Sequence, residues 1–228
     1  MRVMSCVVLL GMTLVAGPGL SATVPFSEEF AADASNWYDA GSTGPLSWVA
    51  AGGPDGSAYA SGAINFAPFI PGDTLTAVRA QDEFGSSGGA FEGSYIVEGV
   101  LALSVFVRHD APVPLNVFTR LSGPANFPGA IAVAFAPVLP NTWTELVFDL
   151  TATSPQLVSF EGSSYAAVFG DIGHVQIGVE VPAALAGLDV DYDFQIDRVS
   201  LVPEPTTAAM LALGLLGVAL AGRPTRRG

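Results

Sequence analysis

Between Thr23 and Val202 the apolar residues recur at every second position in short runs, and no amphipathic helix of useful length interrupts them. The stretch "WTELVFDL" (143–150) alternates most cleanly. Trp143, Glu145, Val147 and Asp149 fall on one face, and Thr144, Leu146, Phe148 and Leu150 on the other, which should meet the core. In "HVQIGVEV", Val175, Ile177, Val179 and Val181 share a face. The longest run, "SYIVEGVLALSVFVRHD", is partly apolar on both parities and reads as a central strand covered on both sides. Clusters of Gly, Pro, Ser and Asn punctuate the runs at the spacing of an all-β domain. Strands are expected over 24–30, 57–66, 74–80, 94–108, 114–121, 130–136, 143–150, 173–181 and 190–202. About nine antiparallel strands in one domain predict a jelly-roll β-sandwich, two packed sheets around one apolar layer. A Greek-key sandwich of the immunoglobulin kind is the competitor, but it usually needs fewer residues.

Composition narrows the chemistry. The one cysteine, Cys6, lies in the leading segment, so the body has no disulfide framework and no cysteine-based metal site. Its own core must hold it. From Thr23 to Val202 there are 20 Asp and Glu against four arginines (Arg79, Arg108, Arg120 and Arg198), and lysine is absent. Such a surface repels nucleic-acid phosphates and anionic lipid, so neither is an expected partner. It would attract divalent cations or basic patches.

The two ends read as address labels. "MRVMSCVVLLGMTLVAGPGLSA" has one arginine, an apolar run from Val7 to Ala16 and a small-residue exit, the layout of a secretory signal peptide over 1–22. At the other end, fourteen residues from Ala208 to Ala221 are all Ala, Leu, Gly, Met or Val. The uncharged stretch 206–222 reaches the lower limit for a spanning helix. Arg223, Arg226 and Arg227 follow and should stay cytoplasmic while the body crosses. Pro203 and Pro205 flank Glu204, which stops strand and helix alike and leaves an extended, exposed triplet.

Val202-Pro203-Glu204-Pro205, a short apolar helix and a terminal arginine cluster together resemble the PEP-CTERM sorting signal, here over 203–228. That resemblance implies cleavage by an exosortase of a Gram-negative bacterium. It implies transient residence in the inner membrane, then delivery to the outer surface or the exopolysaccharide matrix. The body, 23–202, resembles galactose-binding-like jelly rolls and carbohydrate-binding modules through "FSEEFAADASNWY", "NTWTELVFDL" and "YDFQIDRVSLV". In that family the Asp equivalent to Asp197 often binds a structural Ca2+ with partners from the first strand, here Glu28 or Glu29.

The residues themselves are compatible with that assignment. In "LDVDYDFQIDRVSL", Asp189, Asp191 and Asp193 share one face and Val190, Tyr192, Phe194 and Ile196 the other. The apolar parity then flips to Val199 and Leu201, as a one-residue bulge near Asp197 would cause. Among the early aromatics Trp37, Tyr38, Trp48 and Tyr59, core packing is the expected role, with Tyr38 and Trp48 the least core-like and so the candidate sugar contacts. His109 and His174 sit at strand ends and are expected at the surface, without a serine nucleophile elbow or an H-E-x-x-H zinc motif. "DEFGSSGGAFEGS" (82–94) reads as a mobile loop rather than a nucleotide site. The expectation is a non-catalytic exported protein associated with exopolysaccharide, with a carbohydrate-binding module as the alternative and a glycan-active enzyme behind both. One consequence is testable in the native host. Glu204→Ala should leave a membrane-bound chain that keeps its tail, seen as an unshifted mass in the membrane fraction; tail removal at the normal rate would rule out the sorting signal.

Overall fold

The computed structural model describes residues 21–203; the segments 1–20 and 204–228 lie outside it, and with them most of the expected signal peptide and the expected membrane helix. Among the described residues no helix is long and apolar enough to cross a membrane. The chain forms two six-stranded antiparallel sheets. One, sheet A, contains β3 (Ser47–Val49), β4 (Tyr59–Asn65), β12 (Asp191–Pro203), β6 (Val100–His109) and β9 (Thr144–Asp149) in that order, with β1 (Phe26–Glu28) also paired to β12. Sheet B runs β10 (Leu157–Ser159), β8 (Gly129–Val133), β7 (Val117–Ser122), β11 (His174–Glu180), β5 (Thr74–Gln81) and β2 (Tyr38–Asp39). Most connections cross from one sheet to the other, as in a jelly roll.

Alternation in the sequence becomes burial in the sandwich. Leu146, Phe148 and Leu150 are buried, as expected, while Val147 faces out. From β6, Leu103, Val105 and Val107 meet Phe194, Ile196, Val199 and Leu201 of β12 and Val175, Ile177 and Val179 of β11 in one core. Each large side chain so buried contributes about 1.5–3 kcal/mol. An aromatic group closes one end: Trp37 packs edge-on against Phe30 and Phe91, and its indole N–H donates to Ser87 Oγ at 2.9 Å.

β12 differs from its neighbours. Residues 191–196 pair with β4, while 199–201 pair with β1 on the same side. The opposite side pairs with β6 throughout, with the register slipping by one residue between Asp197 and Ser200. Arg198, at φ 48°, is the extra residue. The parity flip is therefore a true bulge, and the long strand uses it to keep an apolar face inward on both sides of the slip.

Four expectations need correction. Among the described residues there are twelve strands, because β2, β3 and β10 are edge strands of two or three residues and too short to show a period. A short helix, α1 (Tyr165–Phe169), capped by Ser164, was also invisible. The central strand begins at Val100 rather than at 94, and its outer face (Ala102, Ser104, Phe106, Arg108) is only half-buried, because it is covered by loops and not by a third layer. The stretch 82–94 is tied down: Ser86 Oγ donates to Asn36 O at 2.6 Å and accepts from the Gln81 amide. Replacing Phe194 with Ala, where β12 pairs with both β4 and β6, should cost about 3–5 kcal/mol. A urea midpoint within experimental error of the parent would show that the two sheets do not pack through this residue.

Candidate functional site

The four arginines of the body divide between the two outer faces. On sheet A, Arg108 lies over the rings of Trp143 and Tyr59, 5.0 and 5.5 Å from their centroids. Trp143 gives its indole N–H to Gly52 O. The 50–57 segment thus sits on these rings, and their faces are spent on packing. Nearby, Arg198 bonds Asp55 at 2.5 Å and lies 3.5 Å from Glu29.

This is also where the resemblance places calcium. Asp197 is fully buried beneath Ser57, whose hydroxyl donates to Oδ2 at 2.6 Å, while Oδ1 accepts from the Arg198 amide at 2.8 Å. Glu28 turns away to accept from the Phe30 amide. Glu29 accepts from Ser27 Oγ. The three carboxylates have separate partners, and the countercharge among Glu29, Asp55 and Asp197 is the Arg198 guanidinium. These residues do not fit a preformed calcium cage, and a cation drawn here would have to displace Arg198.

Sheet B is different: its outer face carries a groove and a row of half-buried and buried polar groups. From β5, β11 and β7, which pair in register, Arg79, Gln176 and Arg120 stand side by side on that face. Thr76 Oγ1 donates to Gln176 Oε1 (3.2 Å), and Gln176 Nε2 donates to Asn126 Oδ1 (3.0 Å). Arg120 donates to Asn126 Oδ1 (2.7 Å) and forks onto Glu161 (2.5 and 2.7 Å). That fork holds the Glu161 carboxyl below its ordinary range. Arg79 donates to Ala40 O, but its Nε is buried without a partner.

Beside this polar row runs a groove of about 470 Å³ lined by Phe118, Ile131, Phe135 and Val158, with Asn116 and Glu180 at one end. Phe135 is 69% exposed. Two glycines make the surface flat. A Cβ at Gly178 would stand 2.3 Å from the Leu75 carbonyl oxygen of β5 and 2.6 Å from the Phe118 ring, and one at Gly129 would stand 2.6–2.7 Å from Glu161 Oε2 and Arg120 Nη2. Without side chains there, the ring and the ion pair lie down on the strands.

Of the expected sugar contacts, Tyr38 belongs to this face. It pairs with Arg79 at the sheet edge and stacks on Phe84 at 3.9 Å. Trp48 is on sheet A, 41% exposed, its N–H held by Phe30 O, so the two do not form one platform. Trp37 is core, as expected. Both histidines are buried rather than at the surface, because loops fold over the strand ends. His109 Nε2 donates to Val138 O, and burial lowers the pKa of the ring, which favours its neutral form. Of the sorting motif only Val202 and Pro203, at the end of β12, are described; Glu204, Pro205, Arg223, Arg226 and Arg227 lie outside the described residues.

Burial raises the Asp197 carboxyl above its ordinary value of 3.8, so folding favours the protonated form and the ionised form carries a penalty as pH rises. Asp197→Asn removes that charge and can keep both hydrogen bonds. The variant should have a higher urea midpoint than the parent at pH 7, with the gain disappearing below pH 3.8, and calcium chloride added to the metal-free parent should leave its melting unchanged. A variant that loses stability only in calcium buffer would show instead that Asp197 serves a cation.

No protein-family model matches the chain, and no curated protein matches it. Among solved structures it is similar to the carbohydrate-binding and catalytic modules of the Clostridium thermocellum endo-1,4-β-D-xylanase 10B, crystallised with xylohexaose, at 15% identity over 78% of this chain and 28% of that one, with a TM-score of 0.49. It is similar to an exo-β-agarase at 10% identity, over 81% of this chain and 25% of that one, TM-score 0.49. It is also similar to the C-terminal family 22 carbohydrate-binding module of the same xylanase at 14% identity, over 80% and 95%, TM-score 0.41. The chain spans roughly a quarter of the length of the first two.

Proposed function

We propose that the chain is an exported, non-catalytic module that holds a glycan along the outer face of sheet B. The observation that carries this reading is an apolar groove of Phe118, Ile131, Phe135 and Val158 beside a pre-ordered row of planar polar groups, with Gly178 and Gly129 letting Phe118 and Arg120 lie flat. Sugar rings present two chemistries, an apolar C–H face and a belt of hydroxyls. The exposed Phe135 suits the first, above the buried Phe118 at the base of the groove. Arg79, Arg120 and Asn126 suit the second, because Ala40 O, the half-buried Glu161 and the buried Gln176 hold their donors and acceptors in place before the ligand arrives. Four residue steps from Phe118 to Ser122 span about 14 Å, room for a short oligosaccharide.

Binding rather than cleavage is supported by the carboxylates of this face. Glycoside hydrolysis needs a carboxylic acid kept protonated near neutral pH. Glu161 is held ionised by Arg120, and Glu180 accepts from Asn116 Nδ2. The carboxyls that burial does push up, Glu92 and Asp197, are not in this groove. Sorting through the Pro-Glu-Pro tail would place the module at the outer surface or in the exopolysaccharide matrix, which makes a matrix polysaccharide the first ligand to try.

Affinity electrophoresis in gels containing the host exopolysaccharide, xylan or agarose tests the reading. One of these should retard the protein, and Phe135→Ala should weaken retardation roughly tenfold, the loss of one stacked ring. Trp48→Ala, on the other sheet, should change nothing. If Trp48 matters and Phe135 does not, the ligand lies elsewhere; if none of the three retards the protein, the glycan reading loses its support.

A further inference from the structure

A second cluster lies where β5 ends and β11 begins. Asp82 and Glu83 open the turn that follows β5, and His174, the first residue of β11, pairs with Gln81 directly before them. His174 is 2% exposed, and its Nε2 is buried with no hydrogen-bond partner. That atom points between two carboxylates, 3.3 Å from Asp82 Oδ1 and 3.3 Å from Glu83 Oε2. Among the described residues this is the group of three metal-ligating side chains whose ligand atoms all lie within 4.8 Å of one another.

We infer that Asp82, Glu83 and His174 form a site for a divalent transition-metal ion of the zinc class. The separations carry the choice. An ion bonded to nitrogen and oxygen at about 2.0–2.1 Å in a tetrahedron has its ligands roughly 3.3–3.4 Å apart, the spacing of His174 Nε2 from each carboxylate here. One imidazole with two carboxylates suits zinc better than calcium, which takes oxygen ligands in larger number and at longer distance. The side chains of Asp82 and Glu83 are 22% and 57% exposed, so an ion reaches the site without unfolding, and a remaining coordination position faces solvent.

The surroundings support an ion. Gln81 Nε2 lies 3.1 Å from His174 Nδ1, and Ser42 Oγ lies 3.4 Å from Gln81 Oε1. Turning the Gln81 amide over lets its Oε1 accept from His174 Nδ1–H and leaves the lone pair of His174 Nε2 for a metal, while the Ser42 hydroxyl accepts from the amide instead. Glu92, 6% exposed, is a third carboxyl nearby; burial, then Asp82 and Glu83, push it above its ordinary range. A dication among these groups relieves that repulsion. Occupied, the site would pin the end of β5 to the start of β11, at the edge of the outer face of sheet B.

The full-length protein, stripped with EDTA and titrated with zinc chloride alone, should bind one ion per chain. The double variant Asp82→Asn, Glu83→Gln removes two ligands at solvent-accessible positions. It should keep the parent urea midpoint in EDTA yet bind zinc roughly tenfold or more weakly. Cobalt(II) should give the intense visible bands of a tetrahedral site in the parent and lose them in His174→Gln; if that variant does not fold, the double variant decides alone. The inference is overturned by absence of zinc binding, by equal affinity in the double variant, or by calcium chloride occupying the site in preference to zinc. An octahedral cobalt spectrum indifferent to His174→Gln would overturn it too.

Discussion

The slip of one residue at Asp197 and Arg198 organises sheet A. A 13-residue strand without it would turn half of its apolar side chains toward water. With it, Phe194 and Ile196 before the bulge and Val199 and Leu201 after it all point inward. The same residue lets two separate strands, β4 and β1, share one side of β12. The geometry has a local cost, since Arg198 sits in the left-handed region that residues with a side chain avoid. It is offset by the contacts the turn makes: the Asp197 carboxylate accepts the Arg198 amide, and the guanidinium spans Glu29 and Asp55.

That bulge was readable in advance, because a parity flip in an otherwise regular alternation has few other causes. So were the eight strands of five residues or more, whose period survives several repeats, while the three-residue β1 lay inside the expected run 24–30. What alternation cannot show are β2, β3 and β10, since two or three residues define no period. Nor can it show covers made by distant segments. His109 and His174 end their strands in polar company, and only the fold brings Val138 onto one and Asp82 onto the other.

The outer face of sheet B was written more faintly. Arg79 in "TAVRAQ" and Arg120 in "VFTRLS" are charged residues in apolar strands of a body with just four cations, which is a reason to ask what they face. Gly178 in "HVQIGVEV" breaks a run that otherwise favours β-branched residues. Of the early tryptophans, Trp37 is core and Trp48 is held at a strand edge of the opposite sheet. Rings near the start of the chain were conspicuous; the gaps left by missing side chains were not.

Those gaps bear on how such a module can change. At the rim, residues such as Phe135 stand clear of their neighbours and could be exchanged one at a time, each swap altering which chain is gripped. Beneath Phe118 and Arg120 no such freedom exists: a single added carbon at 178 or 129 would lift what rests there and roughen the bed. Preference can therefore wander along the margins while the bed itself must be kept whole or given up.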